Sequence, residues 1–223
     1  TVPLWRSMLF VPVNVDRFVN SASRRGADAC ILDLEDSIPT AEKSEARERV
    51  RTAAETVGSA GADVVVRINR PWRLAIRDIE ASVDPNICAL AVPKVADPGH
   101  LCAIAEILSE LEAERGLEPG HTRLIAMIET ADAYFQVRDI AAANSRVVAM
   151  TLGQEDFALS TGMEPEPEAL FQPCLQVVFA ARAAGILPLG FVGSIAEYQD
   201  KVKFQKIARQ ARRIGFTGAF CIH

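Results

Sequence analysis

Eight short apolar runs recur along the chain, at residues 7–12, 29–36, 63–69, 87–94, 123–130, 147–157, 186–192 and 218–223. Their starts lie 22 to 39 residues apart, which leaves room for a crossover helix in every interval. Most are near-continuous rather than strictly alternating, the pattern of strands covered on both faces, as in a parallel sheet. The segments between carry helical spacing: Ile104, Ile107, Leu108 and Leu111 follow i, i+3, i+4, i+7, as do Phe204, Ile207, Ala208 and Ala211. Asp97-Pro98 reads as a helix cap with proline at the first helical position, and Ser194-x-x-Glu197 as a capping box. Gly26, Gly116, Gly185 and Gly215 stand where helices are expected to stop, and Pro165 and Pro167 mark a loop after the sixth run.

Eight β/α units in 223 residues predict an α/β fold, a TIM (β/α)8 barrel, in a single domain spanning 1–223. A doubly wound open sheet is the competing architecture, and it calls for a glycine-rich phosphate turn after the first strand. Val13-Asn14-Val15-Asp16 stands there instead, so the barrel is preferred. The C-terminal segment after strand eight is absent from the sequence, which stops at His223. A barrel normally covers that strand with an eighth helix, so a further segment or a neighbouring subunit is expected to supply the cover.

Charge and cysteine usage exclude several function classes. Lys and Arg total 24 against 29 Asp and Glu, a net charge of −5, which argues against nucleic-acid binding. No apolar run reaches the ~18 residues of a membrane span, and Met8 to Val13 is too short for a signal peptide. The five cysteines are odd in number and form no Cys-x-x-Cys pair. They are expected to be reduced and buried in a cytoplasmic protein, without zinc or disulfides.

In a barrel the active site sits at the C-terminal ends of the strands. Those ends read Asp33-Leu34-Glu35-Asp36, Arg67-Ile68-Asn69, Pro93-Lys94, Glu129-Thr130 and Gly153-Gln154-Glu155-Asp156. Charge at the end of an apolar strand is costly unless it is paired or binds a ligand. Glu129 and Asp156 come from adjacent strands. Two converging carboxylates with open positions suit Mg2+; equally, they suit barrel-mouth ion pairs with Lys94 or Arg67. His100 and His121 do not make a competing zinc site. Arg67 has the fork to take a substrate carboxylate, or to pair with Glu35 or Asp36. Asp33 lies inside its strand and reads as a buried, hydrogen-bonded carboxylate with no assigned role. Lys94 raises Schiff-base chemistry, but the surrounding carboxylates favour its ammonium form. Nucleophile-elbow and P-loop motifs are absent. Trp5 reads as packing, and Trp72 as packing or an edge of the pocket.

Arg6-Ser7-Met8-Leu9-Phe10-Val11-Pro12, Leu32-Asp33-Leu34-Glu35-Asp36-Ser37, Arg67-Ile68-Asn69, Pro93-Lys94, Ile128-Glu129-Thr130 and Gly153-Gln154-Glu155-Asp156-Phe157 occur in series, with Cys221-Ile222-His223 at the end. Their order and spacing resemble the citrate lyase β-subunit-like branch of the HpcH/HpaI aldolase family, over nearly the whole chain. The resemblance implies a CoA ester lyase: a TIM barrel that cleaves or forms a C–C bond in a 3-hydroxyacyl-CoA such as a malyl-CoA, citramalyl-CoA or citryl thioester, giving a 2-keto acid and an acyl-CoA. It implies Mg2+ held by Glu129 and Asp156, Arg67 gripping the keto-acid carboxylate, and Glu35 and Asp36 supporting metal waters and Arg67. Lys43 and Arg17 match basic positions near the CoA entrance. A homo-oligomer, a trimer, is also implied.

Two departures from the family pattern stand out: Val13 replaces a glycine, and the strand-seven region lacks an Ile-Asp start. The family's segment beyond strand eight packs on a neighbouring subunit and carries an acid/base aspartate. Without it, the chain is expected to bind metal and keto acid yet turn over poorly. Two alternatives stand beside the lyase reading: a metal-dependent aldolase acting on non-CoA hydroxy-keto acids, and a keto-acid- or CoA-binding subunit that needs partners.

Overall fold

The computed structural model describes residues 3–193 and 198–223. It contains eight parallel strands: β1 (Ser7–Pro12), β2 (Ala29–Asp33), β3 (Asp63–Arg67), β4 (Ala89–Val92), β5 (Arg123–Ile128), β6 (Val147–Leu152), β7 (Leu187–Leu189) and β8 (Ala219–Cys221). They are ordered β7-β6-β5-β4-β3-β2-β1-β8. The two outer strands of that order meet: Leu189 bridges Gly218 in parallel, with Gly190 N donating to Gly218 O at 2.8 Å and Thr217 N to Pro188 O at 3.0 Å. The sheet therefore closes on itself as the expected TIM-type barrel.

The helices that connect the strands are α1 (Asp16–Ala22), α2 (Lys43–Glu48), α3 (Val50–Gly58), α4 (Trp72–Ser82), α5 (Pro98–Arg115), α6 (Ala131–Phe135), α7 (Val137–Ala141), α8 (Gln154–Thr161), α9 (Pro167–Ala184) and α10 (Lys201–Ile214). Asp97 caps α5 by accepting from His100 N at 2.8 Å, with Pro98 at the first helical position, as the sequence predicts. Gly116, Gly185 and Gly215 end α5, α9 and α10 in the left-handed conformation. Gly26 lies in the turn after α1. Ser194 and Glu197, read as a capping box, lie outside the described residues; α10 is capped by Asp200, which accepts from Val202 N and Lys203 N. Pro167 opens α9, and a short helix, α8, stands between β6 and the expected loop. Among the described residues no helix is long and apolar enough to cross a membrane.

Two apolar cores follow from the period-two geometry of the strands. Outward-facing residues such as Cys30, Leu32, Val64, Val66, Leu124 and Ala126 pack beneath the helices. Inward-facing residues, among them Met8, Ala29, Ile31, Val65, Ala89, Ala91, Ile125, Met127 and Ala149, fill the barrel itself. Trp5 plugs this inner core at the N-terminal face, 2% exposed, and its indole N–H donates to Asp63 at 2.7 Å. The packing role read for Trp5 holds. Gly218 sits where β8 meets β1: a Cβ there would lie 1.8 Å from the carbonyl oxygen of Trp5, so only glycine lets the two backbones approach.

The strands are shorter than the apolar runs. The run 147–157 splits at Gly153 into β6 and the first turn of α8, and 29–36 stops pairing as a strand after Asp33. All five cysteines are free, and Cys30 and Cys174 are buried as expected, but Cys102 is exposed on α5.

Candidate active site

The strands deliver side chains to the barrel mouth by parity. On β2 the inward series Ala29, Ile31 continues to Asp33; on β3, Val65 to Arg67; on β5, Ile125 and Met127 to Glu129; on β6, Ala149 to Thr151. A cavity of about 550 Å³ opens above this layer. Asp33, Asp36, Arg67, Glu129 and Asp156 line its polar side; Phe10, Met127, Phe191 and Phe220 line its apolar side. Among the described residues, the site residues expected from sequence are thus gathered at one end of the molecule.

Arg67 is held on several sides. Asp33 takes it bidentately, with Nε to Oδ1 at 2.7 Å and Nη2 to Oδ2 at 2.8 Å. Nη1 lies 3.1 Å from both Glu35 Oε2 and Asp36 Oδ2. The ring of Phe10 stacks on the guanidinium, its centroid 4.7 Å from Cζ. Burial disfavours the charge of Arg67, but the hydrogen bonds to Asp33 and the fields of Glu35 and Asp36 outweigh it and raise the pKa. Burial likewise works against the Asp33 carboxylate, and Arg67 reverses the balance and lowers its pKa. Asp33, given no role from the sequence, is therefore the principal partner of Arg67. The signal that identifies it is the inward parity of β2.

Glu129 is 3% exposed. Burial, then repulsion from Glu35 and Asp156, lifts its carboxyl to about 8, against a hydrogen bond from Lys94 N to Oε2 at 2.6 Å. Gly153 makes room for it: a Cβ there would lie 2.4 Å from both Cγ and Oε1 of Glu129. Glu35 is raised as well, by burial first and by Asp36, against the pull of Arg67 and Lys94. Its Oε2 is buried and makes no well-formed hydrogen bond. Lys94 Nζ lies 3.1 Å from Asp156 Oδ2 and 3.4 Å from Glu35 Oε1. Burial opposes the ammonium, yet Glu35, Asp156 and Glu129 together raise its pKa, so it is unsuited to forming a Schiff base. The ion pair that the sequence allows between Asp156 and Lys94 is formed.

The donor set fits a hard divalent cation. Five carboxyls (Asp33, Glu35, Asp36, Glu129 and Asp156) gather about Arg67 and Lys94, and whereas Asp33 is paired bidentately with Arg67, the buried Glu129 is poorly compensated. Among the described residues no three His, Cys, Asp or Glu side chains converge as a complete metal cage. Two carboxylates with the remaining positions left to water and substrate is the mode that suits Mg2+.

Other residues differ from expectation. The Lys43 ammonium donates to Leu34 O at 2.9 Å and Glu35 O at 2.8 Å and so braces the acidic loop after β2. Arg17 is exposed and lies against Phe18, which lines the cavity. Trp72 packs edge-on against His100, with ring centroids 5.1 Å apart, and is not a cavity wall. Gln154 clasps the loop after β7 with both ends of its amide, donating to Phe191 O and accepting from Gly193 N at 3.1 Å. No reading of the sequence singled it out.

Three comparisons bear on this arrangement. Citrate lyase subunit beta of Leuconostoc mesenteroides subsp. cremoris is 32% identical over 225 residues, covering 99% of this chain and 73% of that protein. A (3S)-malyl-CoA thioesterase of Cereibacter sphaeroides is 32% identical over 224 residues, covering 98% of this chain and 73% of the relative. Among solved structures, the citrate lyase beta subunit of Mycobacterium tuberculosis complexed with oxaloacetate and magnesium superposes with a TM-score of 0.77 at 26% identity, covering 99% of this chain and 92% of that one. The family model described as HpcH/HpaI aldolase/citrate lyase matches residues 6–223, and the chain belongs to that family.

Proposed function

We propose that this chain is a Mg2+-dependent carbon–carbon lyase acting on a 3-hydroxyacyl-CoA whose hydroxyl-bearing carbon also carries a carboxylate. The observation that carries the reading is the fixed Arg67 fork facing the same cavity as Glu129 and Asp156. Similarity to citrate lyase subunit beta, and to a structure holding oxaloacetate and magnesium, supports it.

Glu129 and Asp156 would hold the ion, which when bound supplies Lewis-acid polarisation of the substrate oxygens. Arg67 receives the carboxylate. Asp33 fixes the plane of its fork, and Asp36, whose side chain is 61% exposed, gives up Nη1 to the substrate. Glu35 stands between Arg67 and Lys94 and sets the spacing of the two cations. Phe10, Met127 and Phe220 keep water from the reacting carbons. In the cleavage direction the bond between the hydroxyl carbon and the thioester α-carbon breaks. Its electron pair passes to the thioester enolate as the hydroxyl proton passes to water; the enolate carbon then takes a proton from water to give the acyl-CoA, and a 2-keto acid is left beside Arg67.

An assay with malyl-CoA, citramalyl-CoA and free hydroxy-keto acids, each with Mg2+ and with EDTA, tests the proposal. The expected result is Mg2+-dependent release of keto acid from at least one CoA thioester. Cleavage confined to free hydroxy-keto acids would assign the chain as a non-CoA aldolase; keto-acid or CoA binding with no cleavage, even when the family's segment beyond strand eight is supplied, would assign it as a subunit.

A further inference from the structure

Lys94 is the only non-glycine residue with positive φ among the described residues, at φ 46°. That conformation is strained for a side chain with a Cβ, and glycine, or at less strain asparagine, would adopt it more readily. A lysine here points to a need for what its side chain carries. The left-handed turn at the end of β4 separates two jobs. The Lys94 N–H donates to Glu129 Oε2 at 2.6 Å, while the side chain turns back so that Nζ lies 3.1 Å from Asp156 Oδ2 and 3.4 Å from Glu35 Oε1. The carbonyl is pinned as well, accepting from Arg70 Nε at 2.9 Å. One residue thus touches both carboxylates assigned to the metal, one through its backbone and the other through its charge.

We infer that Lys94 is the built-in counter-ion of the carboxylate cluster: its ammonium holds the place of the divalent cation at Asp156 and is displaced from it when the cation binds. This rests on the metal assignment made above. The backbone contact keeps Glu129 aimed in either state, while the side chain, 34% exposed, has solvent to move into. Lys94 is in these terms a positioning residue that sets the affinity of the metal. Its removal is expected to tighten cation binding, because a positive charge beside the ion is lost and Asp156 no longer has to exchange partners.

The test is calorimetric titration of Mg2+ and Mn2+ into the EDTA-stripped chain, without substrate, for the wild type, Lys94→Asn, Lys94→Gly and Lys94→Arg. Asparagine and glycine both accept the left-handed backbone, so either one that folds suffices. The expected result is a Kd at least about fivefold lower for the Asn and Gly variants and close to wild type for Arg, from the Coulomb term alone. In thermal melts the neutral variants should lose stability in EDTA and regain it with saturating Mg2+, whereas a purely structural lysine would leave the deficit unchanged. Wild-type binding with an unaltered or weaker Kd in the neutral variants would overturn the inference and leave the metal assignment standing. No cation binding by the wild type would overturn both.

Discussion

Glu129→Gln is expected to abolish metal-dependent cleavage while making the metal-free protein more stable. The loss of turnover should be on the order of a thousandfold or more, the scale of several kcal/mol of Lewis-acid assistance. The gain in stability follows from burial. In the folded chain burial, with Glu35 and Asp156 facing it, pushes the Glu129 carboxyl up to about 8, against an ordinary value of 4.5. Between those values the folded state keeps a proton that the unfolded chain releases, so raising the pH removes stability from the metal-free wild type. Glutamine carries no such charge and is close to isosteric. In EDTA the variant should therefore melt above the wild type at pH 8, with the difference shrinking towards pH 5. Saturating Mg2+ should reverse the order, because only the wild type gains binding energy from the ion. Melting curves across that pH range, with and without Mg2+, check both halves.

Asp33→Ala is expected to have the largest structural effect at the site. It leaves a guanidinium whose side chain is only 12% exposed without its bidentate partner, and breaking such a buried pair costs about 3–5 kcal/mol. Asp36→Ala removes a contact to the same guanidinium from a carboxylate that is 61% exposed, and should change stability by less than about 1 kcal/mol. Denaturant unfolding of the two variants separates them. The Asp33 variant should also lose affinity for pyruvate or oxaloacetate, because Arg67 is freed to swing within the cavity. Equal, small effects for the two variants would mean that Glu35 and Asp36 hold Arg67 as well as Asp33 does.

Much of the site was legible because a parallel barrel puts strand ends on one face. Arg67, Glu129 and Asp156 were each identified by ending an apolar run, and each lines the cavity. What strand-end position did not reveal was the partner of each group. Asp33 is separated from Arg67 by 34 residues, yet it lies beside it because the register pairs the two in neighbouring strands. Inward parity from Ala29 and Ile31 already pointed that way. The bounds of the runs misled where an apolar residue belongs to the next helix: Phe157 is buried under α8, not in β6, and Gly153 is the break. The strained turn at Lys94 and the inward reach of Lys43 depend on loop backbone and rotamers, on which hydrophobic periodicity is silent. Cys102 is exposed although it sits in an apolar stretch, because it falls on the solvent side of α5.

The central assignment is that Glu129 and Asp156 share one divalent cation beside the fork of Arg67. Anomalous diffraction from crystals of this chain soaked with Mn2+ and oxaloacetate addresses it without recourse to activity. The expected result is one Mn2+ peak bonded to both carboxylates at roughly the 2.0–2.2 Å of a hard octahedral ion, with the keto acid's carboxylate on Arg67. A peak at other side chains, or oxaloacetate bound away from Arg67, would contradict it.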